Sequence, residues 1–219
     1  MASPNNKRRS SEKRTRNDRQ SSTTLRIVGG AMRGRLLQYS GDQVTRPMKD
    51  RTREAVFNLL GPSVCGAEVV DWFAGTGALA IEAISRGAQH ATLVERHIPT
   101  WRVIKRNLEQ LEIDGKCRVE RADAFFVADQ LLPRERRTIH FFSPPYDLYV
   151  DQMAAMVQLI ERAAAGSIAG SQLVIESDHR FDYESHLTLP VTWRVRQYSP
   201  AIVAIGLLEN TVATNNVEA

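Results

Sequence analysis

The sequence predicts an α/β protein: a mostly parallel twisted sheet with an antiparallel C-terminal hairpin, preceded by a small N-terminal β-hairpin and helix. Three observations predict it. From residue 68 onward, strand-like and helix-like segments alternate, which argues for parallel strands joined by right-handed crossovers. A glycine-rich turn, Gly75-Thr76-Gly77, stands between the first of these strands and its helix, where doubly wound sheets bind ligands. Segments 191–198 and 201–208 follow each other across Ser199-Pro200 with no helix between them, the pattern of an antiparallel pair.

The 219 residues suffice for one sizeable domain and a modest appendage. Residues 1–24 read as a basic disordered tail, with seven Lys/Arg against two acids. The whole chain carries +4, so the remainder sums to −1 and the basicity belongs to the tail. Attraction to phosphate is the functional alternative to plain solvation. The tail holds no Val, Leu, Ile or aromatic residue before Leu25, so it lacks the core of a signal peptide. No apolar run reaches the roughly 20 residues of a membrane helix. The expectation is a cytoplasmic monomer with no membrane partner.

Residues 25–62 read as a hairpin and helix that face the substrate. Leu25-Arg26-Ile27-Val28 alternates like a strand, Gly29-Gly30 offers a turn, and 33–39 reads as the returning strand. Thr45-Arg46-Pro47 is an extended X-Pro element. A helix follows over about 49–60 with Val56, Phe57, Leu59 and Leu60 as its apolar face, stopped by Gly61-Pro62. Within 63–210, strands are read at about 68–73, 91–95, 117–121, 138–142 and 171–176, and helices at about 78–86, 97–112, 123–131 and 150–164. Residues 211–219 read as a disordered C-terminal tail. Trp101, Ile104 and Leu108 recur at helical spacing and read as core. Cys65 and Cys117 form no disulfide framework and are expected as buried thiols. The five histidines show no ligand spacing, so no metal is expected.

The first strand of the block ends at Asp71-Trp72-Phe73, and Gly75 and Gly77 let a ligand approach the main chain closely. The run Gly75-Thr76-Gly77-Ala78-Leu79-Ala80 also satisfies the dinucleotide pattern, with Glu95 after the second strand placed for ribose hydroxyls. Charge separates the candidate ligands. A pyrophosphate at this helix start would lie beside Asp71, and two like charges about 4 Å apart cost roughly 4 kcal/mol at an effective dielectric of 20. S-adenosylmethionine has no phosphate, and its ammonium and sulfonium are attracted by the same carboxylate. Asp123, followed by Ala124 after the third strand, fits a role at the adenine amine. Asp71, Phe73, Gly75, Gly77, Glu95, Asp123 and Ala124 therefore form the expected S-adenosylmethionine site.

The fourth strand runs into Ser143-Pro144-Pro145-Tyr146. A ring amine is a weak nucleophile because its lone pair is delocalised, and acceptors for its N–H groups turn that lone pair toward the methyl donor. The Pro-Pro backbone presents stiff carbonyls with no competing N–H. Tyr146 offers a face for a splayed-out base, worth about 1–3 kcal/mol.

These two motifs resemble those of methyltransferases acting on exocyclic base nitrogens. Three flanking segments narrow the resemblance: Leu25–Arg35, Thr45–Leu60 and Ala78–Ala88. Over about residues 25–208 the chain is similar to the bacterial 16S ribosomal RNA guanine-N2 methyltransferase family, RsmD. The resemblance implies a Rossmann-like methyltransferase fold and methyl transfer from S-adenosylmethionine to N2 of one guanine. It implies 16S rRNA or the 30S subunit as partner, with Ser143, Pro144, Pro145 and Tyr146 holding the target base. The family usually has Asp where this chain has Ser143, and a carboxylate accepts a charge-assisted bond roughly twice as strong as a neutral one. Three readings follow: a slower guanine methylase, a changed target base (cytosine N4 or adenine N6), or RNA binding without catalysis. Ser143→Asp is expected to keep or raise turnover, and Ser143→Ala to lower it.

The N-terminal segment is rich in Arg/Lys, among them Arg26, Arg33, Arg35, Arg46, Arg51 and Arg53. These are expected to face solvent. The first five are read as a platform gripping phosphate without reading sequence. Pairing of Arg51 and Arg53 with Asp50 and Glu54 is the structural alternative.

Overall fold

The computed structural model describes residues 23–39 and 47–209. Arg46 and nearly all of both expected tails lie outside the described residues. The alternating block folds as a seven-stranded sheet of order β5-β4-β3-β6-β7-β9-β8. Its parallel strands are β3 (Glu68–Asp71), β4 (His90–Val94), β5 (Cys117–Glu120), β6 (Thr138–Phe142) and β7 (Gln172–Ser177). The closing pair, β8 (Val191–Tyr198) and β9 (Ala201–Leu208), runs antiparallel, and the second strand inserts beside β7. Side-chain chemistry dictates that order. β9 is almost wholly apolar and buried, whereas β8 alternates exposed and half-buried residues and suits an edge.

Successive residues of the central strands point to opposite faces, so two cores form. On one face Val69, Ile139 and Phe141 pack under α1 (Asp50–Leu60), α2 (Ala78–Ser85) and α3 (Ile98–Leu111). On the other, Val70, Trp72, Phe142 and Ile175 pack under α4 (Ala124–Leu131) and α6 (Met153–Ala165). The single helix expected over 150–164 is two, because Gln152 leaves helical geometry (φ −132°, ψ 38°) between α5 (Leu148–Asp151) and α6. A short helix, α7 (Tyr183–His186), was not anticipated; the Asp182 side chain caps it by accepting from Glu184 and Ser185 N–H groups.

The N-terminal hairpin pairs β1 (Thr23–Arg26) with β2 (Leu36–Tyr39). Its connection is longer than the expected Gly29-Gly30 turn, because those glycines serve a contact. A Cβ on Gly30, whose φ is +74°, would lie 2.0 Å from the Ser85 carbonyl oxygen, and one on Gly29 would strike the Arg86 guanidinium at 2.1 Å. The close approach lets the Ser85 hydroxyl donate to the Gly29 carbonyl (2.6 Å) and lets Ala31 N–H donate to the Ser85 carbonyl (2.7 Å). At the other end, Asn107 on α3 exchanges two hydrogen bonds with the Gln38 backbone (2.8 and 3.0 Å). Ile27 and Leu37 are buried in the same core as α2 and α3.

An ion-pair cluster pins this appendage to the sheet domain. Glu82 on α2 is fully buried and accepts from Val28 N–H and from Arg86 Nε, each at 2.9 Å. Arg53 Nε stands 3.7 Å from the Glu82 carboxylate while its other nitrogens donate to Met48 O, Arg26 O and Asp50. Arg53 is 1% exposed, which overturns the expectation that it faces solvent. The cysteine expectation also fails. Cys65 is exposed after its 3-10 turn, and Cys117 is half-buried, its thiol pushed up to about 12 chiefly by burial. His140 is a core histidine: the Trp72 indole donates to Nδ1 (3.2 Å), so Nε2 carries the proton facing the Ser167 hydroxyl (2.8 Å).

Candidate active site

The strands β3-β4-β5 step away in one direction and β6-β7 in the other, so the sheet reverses between β3 and β6. Beyond the carboxyl ends of those strands lies the crevice where such sheets bind ligands. Asp71 and Phe73 come from β3 and the turn after it, Glu95 follows β4, Asp123 follows β5, and Ser143–Tyr146 follow β6. The topology therefore gathers along one edge residues spread over 76 positions of sequence.

Gly75 (φ +52°) and Gly77 (φ +76°) occupy the left-handed region, which shapes the turn into α2. A Cβ on Gly77 would press on Leu93 at 3.2 Å. Glu95 closes the loop from the neighbouring strand: its carboxylate accepts from Gly75 N–H (2.9 Å) and His97 N–H (2.7 Å). Burial raises its pKa against those two bonds. Asp123 is the N-cap of α4, accepting from Phe125 N–H (3.0 Å), and its second oxygen accepts from Arg96 (3.2 Å). Ala124 is buried at the first position of that helix, and Phe73 meets Phe125 edge-on with ring centroids 5.9 Å apart. The Arg96 pairing was not foreseen; the cation follows Glu95 directly in sequence and spans the ends of β4 and β5.

Asp71 differs from the other acids. It is 1% exposed, and neither carboxylate oxygen has a hydrogen-bond partner. Burial first, and the fields of Glu95 and Glu176, push its pKa from 3.8 to about 7, against the pull of nearby backbone N–H groups. A buried carboxyl without a partner is costly unless a ligand completes it. An ammonium, directly or through water, would complete it, and a phosphate would add repulsion. The chemistry of these residues fits S-adenosylmethionine: a buried carboxyl that seeks a cation at Asp71, glycines at the helix start, and two further acids, Glu95 and Asp123, along the same edge.

On the β6 side, Pro144 is buried, Pro145 exposed, and Ser143 and Tyr146 half-buried. Sequence reasoning missed their common partner. Glu176, near the end of β7 and 8% exposed, accepts from the Ser143 hydroxyl through one oxygen and from the Tyr146 hydroxyl (3.1 Å) through the other. Burial raises its pKa, opposed by those two bonds. The parallel register that sets Phe142 beside Ile175 places the next residues, Ser143 and Glu176, side by side. The rule that found Asp71, Glu95 and Asp123, an acid at or just past the carboxyl end of a strand, finds Glu176 once extended to β7.

The expected RNA-facing residues Arg26, Arg33, Arg35 and Arg51 are exposed, while Arg46 lies outside the described residues. Arg26, Arg33 and Arg51 line a cleft of about 390 Å³ together with Asp50 and Glu54. Arg26 pairs with Asp50 at 3.6 Å, and Arg35 donates to the Gln110 carbonyl at 2.9 Å. This basic surface belongs to the hairpin and α1. Among the described residues no helix is long and apolar enough to cross a membrane.

The chain is similar to known proteins in sequence and in fold. Ribosomal RNA small subunit methyltransferase D of Escherichia coli (strain K12) is 40% identical over 123 residues, 56% of this chain and 60% of that protein. YlbH of Bacillus subtilis (strain 168) is 36% identical over 139 residues, 63% of this chain and 74% of YlbH. In fold, the chain resembles the Thermus thermophilus 16S rRNA N2 G1207 methyltransferase RsmC, solved with AdoMet and guanosine. That likeness has a TM-score of 0.64 at 22% identity, over 85% of this chain and 50% of that one. The family described as conserved hypothetical protein 95 matches residues 25–205, spanning the hairpin, the cofactor-type loop and the Ser-Pro-Pro-Tyr loop together. The chain belongs to that family, the family of the ribosomal RNA small subunit methyltransferase D proteins.

Proposed function

We propose that the chain transfers a methyl group from S-adenosylmethionine to the exocyclic N2 amine of guanine 966 in 16S rRNA of the small ribosomal subunit. The observation that carries this reading is the meeting of an orphaned buried carboxylate, Asp71, with a Pro-Pro-Tyr base platform at the switch point of a chain in this family. S-adenosylmethionine supplies an electrophilic methyl group on a sulfonium. Asp71 answers its ammonium, Glu95 and Asp123 hold the nucleoside end, and the left-handed Gly75 and Gly77 shape the turn that it lies against.

On the acceptor side, Tyr146 gives the flipped base an aromatic face, while the Ser143 oxygen and the proline-fixed carbonyls accept its N–H groups. Holding the amine in this way offsets the orientation entropy before the bond forms. Arg26, Arg33, Arg35 and Arg51 on the hairpin and helix grip phosphate, and Arg46 is assigned the same task.

The test is calorimetry followed by transfer. S-adenosylmethionine should bind the ligand-free chain with heat that NAD does not give. The loaded chain should then move tritiated methyl onto 30S subunits that lack the modification and not onto duplex DNA. Cofactor binding without label on 30S subunits or on free 16S rRNA would reduce the chain to an RNA-binding module.

A further inference from the structure

The loop proposed to receive the base carries Ser143 where the resemblance implies an aspartate, and a carboxylate stands directly behind it. Glu176 reaches Ser143 with one oxygen and Tyr146 with the other, so one side chain clamps both ends of the Ser143-Pro144-Pro145-Tyr146 loop. The Ser143 hydroxyl donates its only proton to Glu176. Its lone pairs are therefore free for an N–H from the base, and hydrogen bonding to an anion increases their basicity. We infer that Glu176 is a positioning residue that works through Ser143, so that the Ser143–Glu176 pair replaces the aspartate of related loops. The inference rests on the methyl-transfer reading of this site.

The chemistry balances. The amine nitrogen bonds to the methyl carbon while the carbon–sulfur bond breaks, its electron pair staying on sulfur. The nitrogen then holds one proton too many. That proton passes to the Ser143 oxygen as the Ser143 proton passes to Glu176, and the resulting carboxylic acid releases it to water when product leaves. Glu176 suits this traffic, since burial lifts it toward the range where it exchanges protons. The groups facing it are the Asp71 carboxyl from β3, the Ser143 and Tyr146 hydroxyls, Tyr149 from α5, and, beyond them, Asp178 with its Arg180 partner. Across the sheet its strand neighbour is Val203 of β9, which brings no charge.

The same geometry alters the expectation for Ser143→Asp. Aspartate there would set two carboxylates against each other, so the clean replacement is Ser143→Asp combined with Glu176→Gln.

Two measurements test the pair. In the ligand-free chain, the Glu176 carboxyl is titrated by carbon-13 NMR; Ser143→Ala should raise its midpoint, because a bond stabilising the anion is gone. In single-turnover methyl transfer to the RNA substrate, Glu176→Gln should slow the chemical step by on the order of a hundredfold. It should leave cofactor affinity near the parent's and remove the acid limb of the pH profile. Ser143→Ala with Glu176→Gln should fall no further than the slower single change. Ser143→Asp with Glu176→Gln should recover to within about tenfold of the parent. A Glu176→Gln chain with the parent's rate and pH profile would overturn the inference, and so would a Glu176 midpoint indifferent to Ser143→Ala. Methyl transfer to a base other than guanine leaves both readouts intact, which separates an error in the target from an error in the pair.

Discussion

Replacing Asp71 by asparagine should stabilise the ligand-free chain at alkaline pH while removing its affinity for S-adenosylmethionine. Asp71 moves from 3.8 to about 7 on folding, driven first by burial and opposed by nearby backbone N–H groups that fall short of a hydrogen bond to either oxygen. The folded chain thus binds more protons at this site than the unfolded chain between those two values, so stability falls as pH rises through that window. The cost is fully present above about 7. Each pH unit between the two values is worth about 1.4 kcal/mol, so the Asp71 site opposes folding by roughly 4 kcal/mol at pH 8, where it is ionised, and roughly 2 kcal/mol at pH 5, where folding must protonate it. His140 acts the other way: burial, and then Arg134, lower it from 6.5 to about 3, so its contribution to stability is lost as pH falls below 6.5. The two slopes oppose each other in the parent, and only a difference between proteins isolates Asp71. Urea denaturation of the parent and of Asp71→Asn at pH 5 and pH 8 should therefore show the variant gaining about 2–3 kcal/mol relative to the parent between the two pH values. Calorimetry should show the parent's cofactor affinity weakening roughly a hundredfold from pH 8 to pH 5, as the carboxyl is neutralised two pH units below its midpoint. A stability difference that does not change with pH, or a variant that binds cofactor as the parent does, would refute the role given to Asp71.

Three other outcomes follow from the geometry. Glu82→Gln removes the buried anion that Arg53 and Arg86 share, leaves Arg53 with Asp50 alone and weakens the Val28 anchor, so the chain should lose about 2 kcal/mol in urea unfolding; a loss below 1 kcal/mol would show the cluster to be idle. Gly30→Ala forces a side chain onto the Ser85 carbonyl at positive φ and should lower the melting temperature by several degrees, with an unchanged melt contradicting the clamp. Charge reversal at both Arg33 and Arg35 should weaken RNA binding and flatten its dependence on salt in filter-binding titrations; an unchanged salt slope would remove the hairpin from the RNA surface.

Much of this architecture is written locally. The apolar run of β9 and the alternation of β8 announce a buried strand and an edge strand, and only their order beside β7 depends on tertiary packing. The cofactor side is legible because Asp71, Gly75 and Gly77 lie within seven residues of one strand–helix junction. Glu176 is hidden because its partners lie 33 and 30 residues away, and within Leu173-Val174-Ile175-Glu176 it looks like the polar end of a strand. Gly29-Gly30 misleads for the same reason: locally the pair resembles a hairpin turn, and its purpose is a contact with Ser85 and Arg86 more than 50 residues on. Arg53 is legible in part: its pairing with Asp50 three residues before is a local pattern, and its burial against Glu82 on another helix is not.

Nucleoside mass spectrometry of 16S rRNA, taken from unmodified 30S subunits incubated with the chain and S-adenosylmethionine, decides whether this carboxyl-edge site methylates a guanine amine of small-subunit RNA. The expected result is one new N2-methylguanosine, at guanine 966. N4-methylcytosine, N6-methyladenosine or a methylguanosine elsewhere in the RNA would contradict it.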